Sequence, residues 1–277
     1  MTFSCQLANT YNPTKNYSVS GWWSSPKLDG IRCLFLPGQG LLSRTLKTKF
    51  VGLEHIENIC NQINGGFNII DGELYIPGEK FDIISGIVRD RKNYDLALKQ
   101  KVQFHIFALW SATSAWQDTD EMVNAIPGIL PTNQSIIVPV PYVFIENNPI
   151  AIQTQNQFNR DNGFSLEGTM LRHQDIAYFQ GRSNHLLKVK NFEKSVFTVV
   201  GFSKGTGKYS GSLGKILIEG DVNSVKVTAK VGTGFTDAER LEVWNNQTRF
   251  LNRLVEVIYL GVTSKSSLRH PVFSRFV

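Results

Sequence analysis

The spacing of apolar residues predicts a mixture of strands and helices over the first two thirds of the chain. Residues 27–36 and 41–44 read as a hairpin around a Pro-Gly-Gln-Gly turn, whereas 53–63 has apolar residues at helical intervals. Residues 67–76 contain two short apolar runs, which predict a second hairpin. The other predicted elements are a helix over 80–89, a strand over 102–110, a proline-containing edge strand over 135–145, a helix over 149–160 and strands over 165–173 and 185–192.

After Phe192 the pattern changes to short strands separated by glycine-rich turns. The strand-like runs cover 196–203, 215–220, 225–231 and 253–262. Thr236 followed by Glu239 has the spacing of a capping box, which predicts the start of a helix. About five strands and one helix in roughly 80 residues are typical of a small OB-type barrel. We therefore predict an α+β protein with two domains, residues 1–194 and 195–277.

The composition is that of an ordinary globular protein with a modest positive charge. The 277 residues are 42% hydrophobic and 19% charged. The net charge of +6 and a pI near 9.2 favour a polyanionic partner. The three cysteines match no zinc spacing, which predicts reduced thiols. The sequence has no secretory-signal pattern and no apolar run of membrane-spanning length, so we expect a cytoplasmic protein with no membrane partner.

Charged residues interrupt several segments whose other positions are apolar. Residues 27–32 read Lys-Leu-Asp-Gly-Ile-Arg within a predicted strand. Strand alternation places Asp71 and Glu73 on one face of their strand. It likewise places Lys188 and Lys190 on one face of theirs. Charges arranged in this way either face solvent or line a cleft.

The charged segments form an ordered set of motifs. They are KLDGIR (27–32), SR (43–44), DGELY (71–75), EGTMLR (167–172) and LLKVK (186–190). This set resembles the motifs of the covalent nucleotidyltransferases and, in detail, those of the minimal ATP-dependent DNA ligases of viruses, phages and bacteria. The resemblance covers nearly the whole chain. It implies a nucleotidyltransferase (adenylation) domain with antiparallel sheets and flanking helices, followed by a C-terminal OB-fold β-barrel.

The resemblance implies that Lys27 is the catalytic nucleophile, with Asp29 orienting it. A lysine amine can attack the α-phosphate of ATP and form a phosphoramidate. Deprotonating a free lysine at pH 7 costs about 4–5 kcal/mol, and nearby cations lower this cost. Lys188 and Lys190 resemble the catalytic pair that neutralises the α-phosphate and promotes the departure of pyrophosphate.

Five further residues receive nucleotide, metal or nick roles from the resemblance. Arg32 and Arg44 resemble the arginines that hold the ribose and the 5′ phosphate of the nick. Glu73 resembles the acid that contacts the ribose hydroxyl and supports a metal, and Glu167 resembles a metal-site carboxylate. Phe107 stands where the family places an aromatic ring on adenine. After Phe107 the family often has an aspartate, and this sequence has alanine.

The DNA-contacting residues are assigned more indirectly. Arg182 resembles a residue that contacts the 5′ phosphate. Lys204 and Lys208, together with Lys215, lie in a glycine-rich segment that would contact a DNA backbone. The closing segment RHPVFSRFV (269–277) resembles the end of a ligase OB domain. Its arginines, Arg269 and Arg275, would orient pyrophosphate during self-adenylation.

The resemblance implies an ATP-dependent DNA ligase, acting in replication, repair or recombination, that uses ATP with Mg²⁺ or Mn²⁺. Its partner would be nicked duplex DNA, which it would encircle as a monomer. An mRNA-capping-type guanylyltransferase uses a similar Lys-x-Asp-Gly arrangement and remains an alternative, as does an RNA ligase. A further alternative is a nucleic-acid-binding OB protein whose transferase domain has lost activity.

Overall fold

The computed structural model describes residues 3–63, 69–111, 121–122, 128, 135–163, 167–176 and 178–277. The chain divides into two compact units, Met1–Lys190 and Asn191–Val277. The domain limits of 1–194 and 195–277 stay a prediction. No helix among the described residues is long and apolar enough to span a membrane.

The first unit contains two five-stranded sheets. The first sheet has the order β1-β10-β9-β2-β8, and the second has the order β4-β3-β5-β6-β7. Strands of the first sheet are β1 (Gln6–Thr10), β2 (Gly21–Pro26), β8 (Val143–Glu146), β9 (Gly168–His173) and β10 (Gly181–Lys190). Strands of the second sheet are β3 (Ile31–Leu36), β4 (Gly40–Ser43), β5 (Ile69–Tyr75), β6 (Gln103–Trp110) and β7 (Ile137–Pro139).

Short helices cover these sheets. They are α1 (Glu54–Cys60), α2 (Phe81–Arg89), α3 (Leu96–Lys99) and α4 (Pro149–Asp161). The helical spacing of residues 53–63 reflects a buried face, since Ile56, Ile59 and Cys60 enter the core of the second sheet. The predicted helices over 53–63, 80–89 and 149–160 are therefore confirmed, with ends that differ by a few residues.

Three of the strand predictions were wrong in detail. The strand predicted over 27–36 begins only at Ile31, because residues 27–30 form the connection between the two sheets. The hairpin predicted over 67–76 is instead one continuous strand, Ile69–Tyr75. The residues expected at its turn lie inside the sheet, because Gly72 packs against β6 and Asp71 is buried in an ion pair. The strand predicted over 135–145 is two strands in different sheets, β7 and β8, separated by residues that include Pro141.

The second unit has one five-stranded sheet in the order β13-β12-β11-β14-β15. Its elements are β11 (Glu193–Lys204), a 3₁₀ turn (Gly207–Tyr209), β12 (Leu213–Val222), β13 (Val225–Val231), α5 (Asp237–Asn245), α6 (Gln247–Phe250), β14 (Leu254–Tyr259) and β15 (Val272–Phe276). The predicted capping box of Thr236 and Glu239 opens α5. An isolated parallel bridge joins Thr233, just after β13, to Val272 of β15, so the two edge strands of the sheet approach each other. The described strands do not form a continuous ladder around a closed barrel.

Candidate functional site

A cavity of about 250 Å³ lies between the two sheets of the first unit. Both sheets supply its walls, and the connection at residues 27–30 passes beside it. Among the residues predicted from the sequence, those that line it are Lys27, Arg32, Arg44, Glu73, Phe107, Arg182 and Lys188. Charged residues that are far apart in the sequence therefore converge on one concave site, which is the usual geometry of a small-molecule site.

Lys27 occupies the point where the chain leaves β2. Its backbone N–H donates to the carbonyl of Gly168 at 2.9 Å, which fixes the connection against β9. Its Nζ donates to Oε2 of Glu167 at 2.6 Å. The Lys27 side chain is 20% exposed, so its amine is held at the cavity wall and is still accessible.

The glycines of two motifs permit this close approach. A Cβ on Gly30 would overlap the carbonyl oxygen of Leu74 and crowd the Glu73 side chain. Gly168 has a φ of +137°, and a Cβ there would overlap the carbonyl oxygen of Val189. Glycine is therefore required where the connection passes β5 and where β9 meets β10.

We expect Gly30→Ala to destabilise the protein by about 1–3 kcal/mol, the range seen for overpacking. The added Cβ displaces either the connection that carries Lys27 or the strand that carries Glu73, so the covalent nucleotide labelling that the sequence resemblance implies should also weaken. Urea unfolding and covalent labelling would measure the two effects. Gly86→Ala in α2 is the control without a clash, because nothing lies near its Cβ position and its φ is not positive, so it should not destabilise the protein. Equal behaviour of the two variants would contradict the packing account.

Arg32 and Asp71 form an ion pair at the base of the cavity. Arg32 donates from Nε to Oδ1 of Asp71 at 2.9 Å and from Nη2 to Oδ2 at 2.5 Å. Asp71 is fully buried, and Arg32 is 18% exposed. Burial acts to lower the pKa of Arg32, but the charge and hydrogen bonds of Asp71 outweigh it and raise the pKa. One face of the guanidinium lies 5.3 Å from the centre of the Phe107 ring.

Glu73 faces the cavity from β5, in register with Arg32 on β3. Burial raises the pKa of its carboxyl to about 8, although the positive charges of Lys27 and Arg32 act in the opposite direction. The negative charges of Glu167 and Asp71 add to the increase. Burial, the largest of these effects, therefore outweighs the attraction of the two cations.

Phe107 is placed by an irregularity in β6. The register of β5 and β6 shifts so that Asp71 pairs with Ala108 and Gly72 pairs with Ile106, which leaves Phe107 as the extra residue of a bulge. Bulges change the direction in which a side chain points. The hydroxyl of Tyr142 donates to the carbonyl of Phe107 at 2.7 Å and secures the bulge.

Two basic residues enter the cavity from β10. Lys188 pairs with Met170 of β9, and burial lowers its pKa, with further decreases from the positive charges of Lys190, Arg182 and Lys27. Arg182 is exposed at the rim and donates from Nη1 to the carbonyl of Ala8 at 2.5 Å.

The remaining predicted residues of the first unit lie beside the cavity or at its rim. Asp29 is in the 27–30 connection, where its charge contributes to a raised pKa of Tyr75 after the larger effect of burial. Lys190 pairs with Gly168, and Glu167 contacts Lys27. Arg44 is exposed at the rim.

The predicted residues of the second unit are at its surface. Lys204, Lys208 and Lys215 are exposed, with Lys208 lying 4.6 Å from the centre of the Tyr209 ring. Arg269 precedes β15 and is partly buried. Arg275 is 72% exposed and lies 3.7 Å from Glu256. Their roles stay predictions.

Four residues around the cavity have no role in the sequence predictions. Tyr142 and Arg172 line it, whereas Gln6 and Tyr178 are hydrogen-bonded to the Arg32–Asp71 pair at its base. Arg172 closes the EGTMLR motif, and its Nη1 donates to Oε1 of Gln6. Tyr178 lies between the EGTMLR and LLKVK motifs, and its partner Gln6 is 172 residues away, a contact that no local pattern reveals.

Comparisons with known proteins give one consistent result. Residues 204–276 match the DNA ligase OB-like domain family. A DNA ligase of Haemophilus influenzae is 24% identical over 273 residues, which cover 97% of this chain and 90% of that protein. The similarity is to DNA ligases, from end to end. Our prediction that the chain resembles the DNA ligases is confirmed.

Solved structures extend this ligase similarity to the fold. A structure from work on DNA binding by the minimal Lig E DNA ligases is 26% identical, with a TM-score of 0.77 and complete coverage of both chains. The Chlorella virus DNA ligase-adenylate is 25% identical, with a TM-score of 0.54 over 99% of this chain and 98% of that one. The predicted α+β fold with an OB-like domain is confirmed.

Proposed function

We propose that this ligase-like enzyme is an ATP-dependent DNA ligase that seals nicks in duplex DNA through an adenylate carried on Lys27. The observation that carries the proposal is the convergence of Lys27, Glu73, Phe107 and Lys188 on one cavity. These side chains supply a nucleophile, an acid, an aromatic surface and a cation within the volume that a nucleotide would occupy.

In the first step, the Nζ lone pair of Lys27 attacks the α-phosphorus of ATP. A P–N bond forms, the P–O bond to pyrophosphate breaks, and the amine loses a proton. Asp29 would orient the amine together with Glu167, which is 2.6 Å from Nζ, and the proton would leave to water. Lys188, which lines the same cavity, would neutralise charge on the α-phosphate, and Lys190 would support it.

We assign the contacts with the nucleotide base and the ribose to residues of the second sheet. Phe107 presents its ring at the bulge, where it would stack on adenine. Glu73 would accept a hydrogen bond from a ribose hydroxyl. Arg32 lies between them, because it is paired in register with Glu73 and packs on Phe107.

A divalent cation fits this site as a companion of ATP. Among the described residues, no group of three or more His, Cys, Asp or Glu side chains could hold a metal alone. One or two carboxylates together with nucleotide phosphates are, however, the usual donor set for Mg²⁺. Glu73 and Glu167 would hold the ion, which when bound supplies positive charge at the α-phosphate and beside the raised-pKa carboxyl of Glu73.

The later steps transfer AMP to DNA. An oxygen of the 5′ phosphate at the nick attacks the same phosphorus, the P–N bond breaks, and Lys27 regains its proton. The 3′ hydroxyl oxygen then attacks the 5′ phosphorus, and AMP leaves as the phosphodiester forms. Asp29 would assist at the 3′ hydroxyl. Arg44 and Arg182, both at the rim, would bind the 5′ phosphate.

We assign contacts with the DNA backbone and with pyrophosphate to residues of the second unit. Exposed lysines at 204, 208 and 215 would contact the phosphate backbone without reading its sequence. Arg269 and Arg275 would act on pyrophosphate. We propose that a cytoplasmic monomer encircles the nicked duplex, and that its work is replication, repair or recombination.

The direct test is nick sealing on duplex DNA, with ATP, GTP and NAD compared in the presence of Mg²⁺. We expect sealing and covalent labelling with ATP alone. Labelling with GTP alone would instead identify a guanylyltransferase, and sealing restricted to nicked RNA would identify an RNA ligase. Tight DNA binding with no adenylate under any condition would identify a binding protein and overturn the proposal.

A further inference from the structure

The free edge of β1, a strand of the first sheet, contacts Arg32 of the second sheet and Tyr178, which precedes β10. β1 is the outermost strand of the first sheet and pairs with β10 on one side only. On its other side, the carbonyl of Gln6 accepts from Nη1 of Arg32 at 2.6 Å, and the N–H of Gln6 donates to the hydroxyl of Tyr178 at 3.1 Å. Gln6 is fully buried, so both groups depend on these partners.

Tyr178 connects this edge to the Arg32–Asp71 pair. Its hydroxyl donates to Oδ2 of Asp71 at 2.6 Å, the same oxygen that accepts from Nη2 of Arg32. Burial, with the charge of Asp71, raises the pKa of Tyr178, so the hydroxyl keeps the proton that it donates. One hydroxyl therefore satisfies both a buried backbone donor and a buried carboxylate.

We propose that Tyr178 is a positioning residue for Arg32. Through Asp71 and Gln6, it holds the guanidinium at the cavity wall and against Phe107. The inference rests on the proposed function, because the substrate that Arg32 meets in this cavity is taken to be ATP. It adds a residue to which the sequence motifs assign no role.

The geometry explains why a phenylalanine would not suffice at position 178. Without the hydroxyl, the N–H of Gln6 loses its acceptor and Oδ2 of Asp71 loses one of two donors. Arg32 then keeps its charge pair but loses the group that fixes the orientation of the carboxylate. The consequence should appear in nucleotide binding, since Arg32 lines the cavity.

The matched control is Tyr17, a buried tyrosine of the same unit that lies outside the cavity lining. Its hydroxyl accepts from the backbone N–H of Asn12 at 3.0 Å, the counterpart of the bond between Tyr178 and Gln6. Tyr17→Phe therefore removes a similar hydrogen bond without touching Arg32. Any effect of Tyr178→Phe that Tyr17→Phe lacks reports on the connection to Arg32.

The experiment measures the ATP concentration that half-saturates covalent labelling. We expect Tyr178→Phe to raise it about tenfold, the effect of losing one hydrogen bond to a charged group. Tyr17→Phe should leave it within about twofold. In an Arg32→Lys background, Tyr178→Phe should have little further effect, since coupled residues are not additive. A wild-type value for Tyr178→Phe, or a tenfold change that persists with Arg32→Lys, would overturn the inference.

A second measurement separates this inference from the proposed function. The unfolding free energies of Tyr178→Phe, Arg32→Lys and the double variant are compared by urea denaturation. Coupling between the two substitutions supports the positioning role even if ATP labels none of these proteins, in which case only the proposed function fails. Additive effects on unfolding would overturn the positioning role whatever the labelling result.

Discussion

Lys27→Ala abolishes covalent labelling of the chain by ATP, and nick sealing that depends on ATP falls at least about a thousandfold. The expected loss is this large because, in the proposed mechanism, Nζ forms the bond to phosphorus. In the wild-type protein that atom lies at the cavity wall, 2.6 Å from Oε2 of Glu167. Labelling with radioactive ATP and Mg²⁺, followed by denaturing electrophoresis, measures the effect.

The same variant should still seal a nick that already carries AMP on its 5′ phosphate. That step needs no lysine adenylate, so a stable Lys27→Ala protein keeps a measurable rate. Lys101→Ala removes an exposed lysine before β6 and is the matched control, with labelling unchanged. Persistent labelling of Lys27→Ala would show that the nucleophile lies elsewhere.

Asp71→Ala destabilises the protein by about 3–5 kcal/mol, the cost of leaving one member of a buried ion pair unpaired. The guanidinium of Arg32 would lose two hydrogen bonds, and Tyr178 would lose the acceptor of its hydroxyl proton. Since Arg32 is only 18% exposed, water restores little of that loss. Urea unfolding followed by tryptophan fluorescence measures the change in midpoint.

An ion pair with an exposed basic member provides the comparison in the same unit. Lys49 is 50% exposed and lies 3.5 Å from Glu57, which is 19% exposed and also accepts a hydrogen bond from the backbone N–H of Leu41. Lys49→Ala should change stability by less than about 1 kcal/mol, because the exposed amine contributes little and the carboxylate keeps its other donor. Similar losses for Lys49→Ala and Asp71→Ala would mean that the Arg32–Asp71 pair is not the buried, stabilising contact described above.

Local pattern predicted the helices and several strand positions, but not where the chain passes between sheets. The apolar residues 31, 34 and 35 made the whole of 27–36 look like one strand. The structure starts that strand at Ile31, because Lys27 is tied by its backbone to Gly168 and Gly30 must pass close to β5. Neither contact is encoded in a local alternation.

Alternation correctly placed Asp71 and Glu73 on one face of the strand. It could not predict that the two carboxylates have different surroundings. Asp71 is bonded to Arg32 and Tyr178, whereas Glu73 faces the cavity with a raised pKa. The alternation of apolar and polar residues does not reveal the bulge at Phe107 either. One extra residue changes the side of the sheet to which the following side chains point. The roles assigned to these residues stay predictions until the experiments above are done.

The pairing of β1 with β10 has a consequence for the order of events during synthesis. Several contacts around the cavity join residues 140 to 174 positions apart, among them Lys27 with Glu167 and Arg182 with Ala8. Such non-local contacts form late in folding. A growing chain has no complete cavity before Lys188 has left the ribosome, so the newly made first unit can take up nucleotide only when nearly all of it is present.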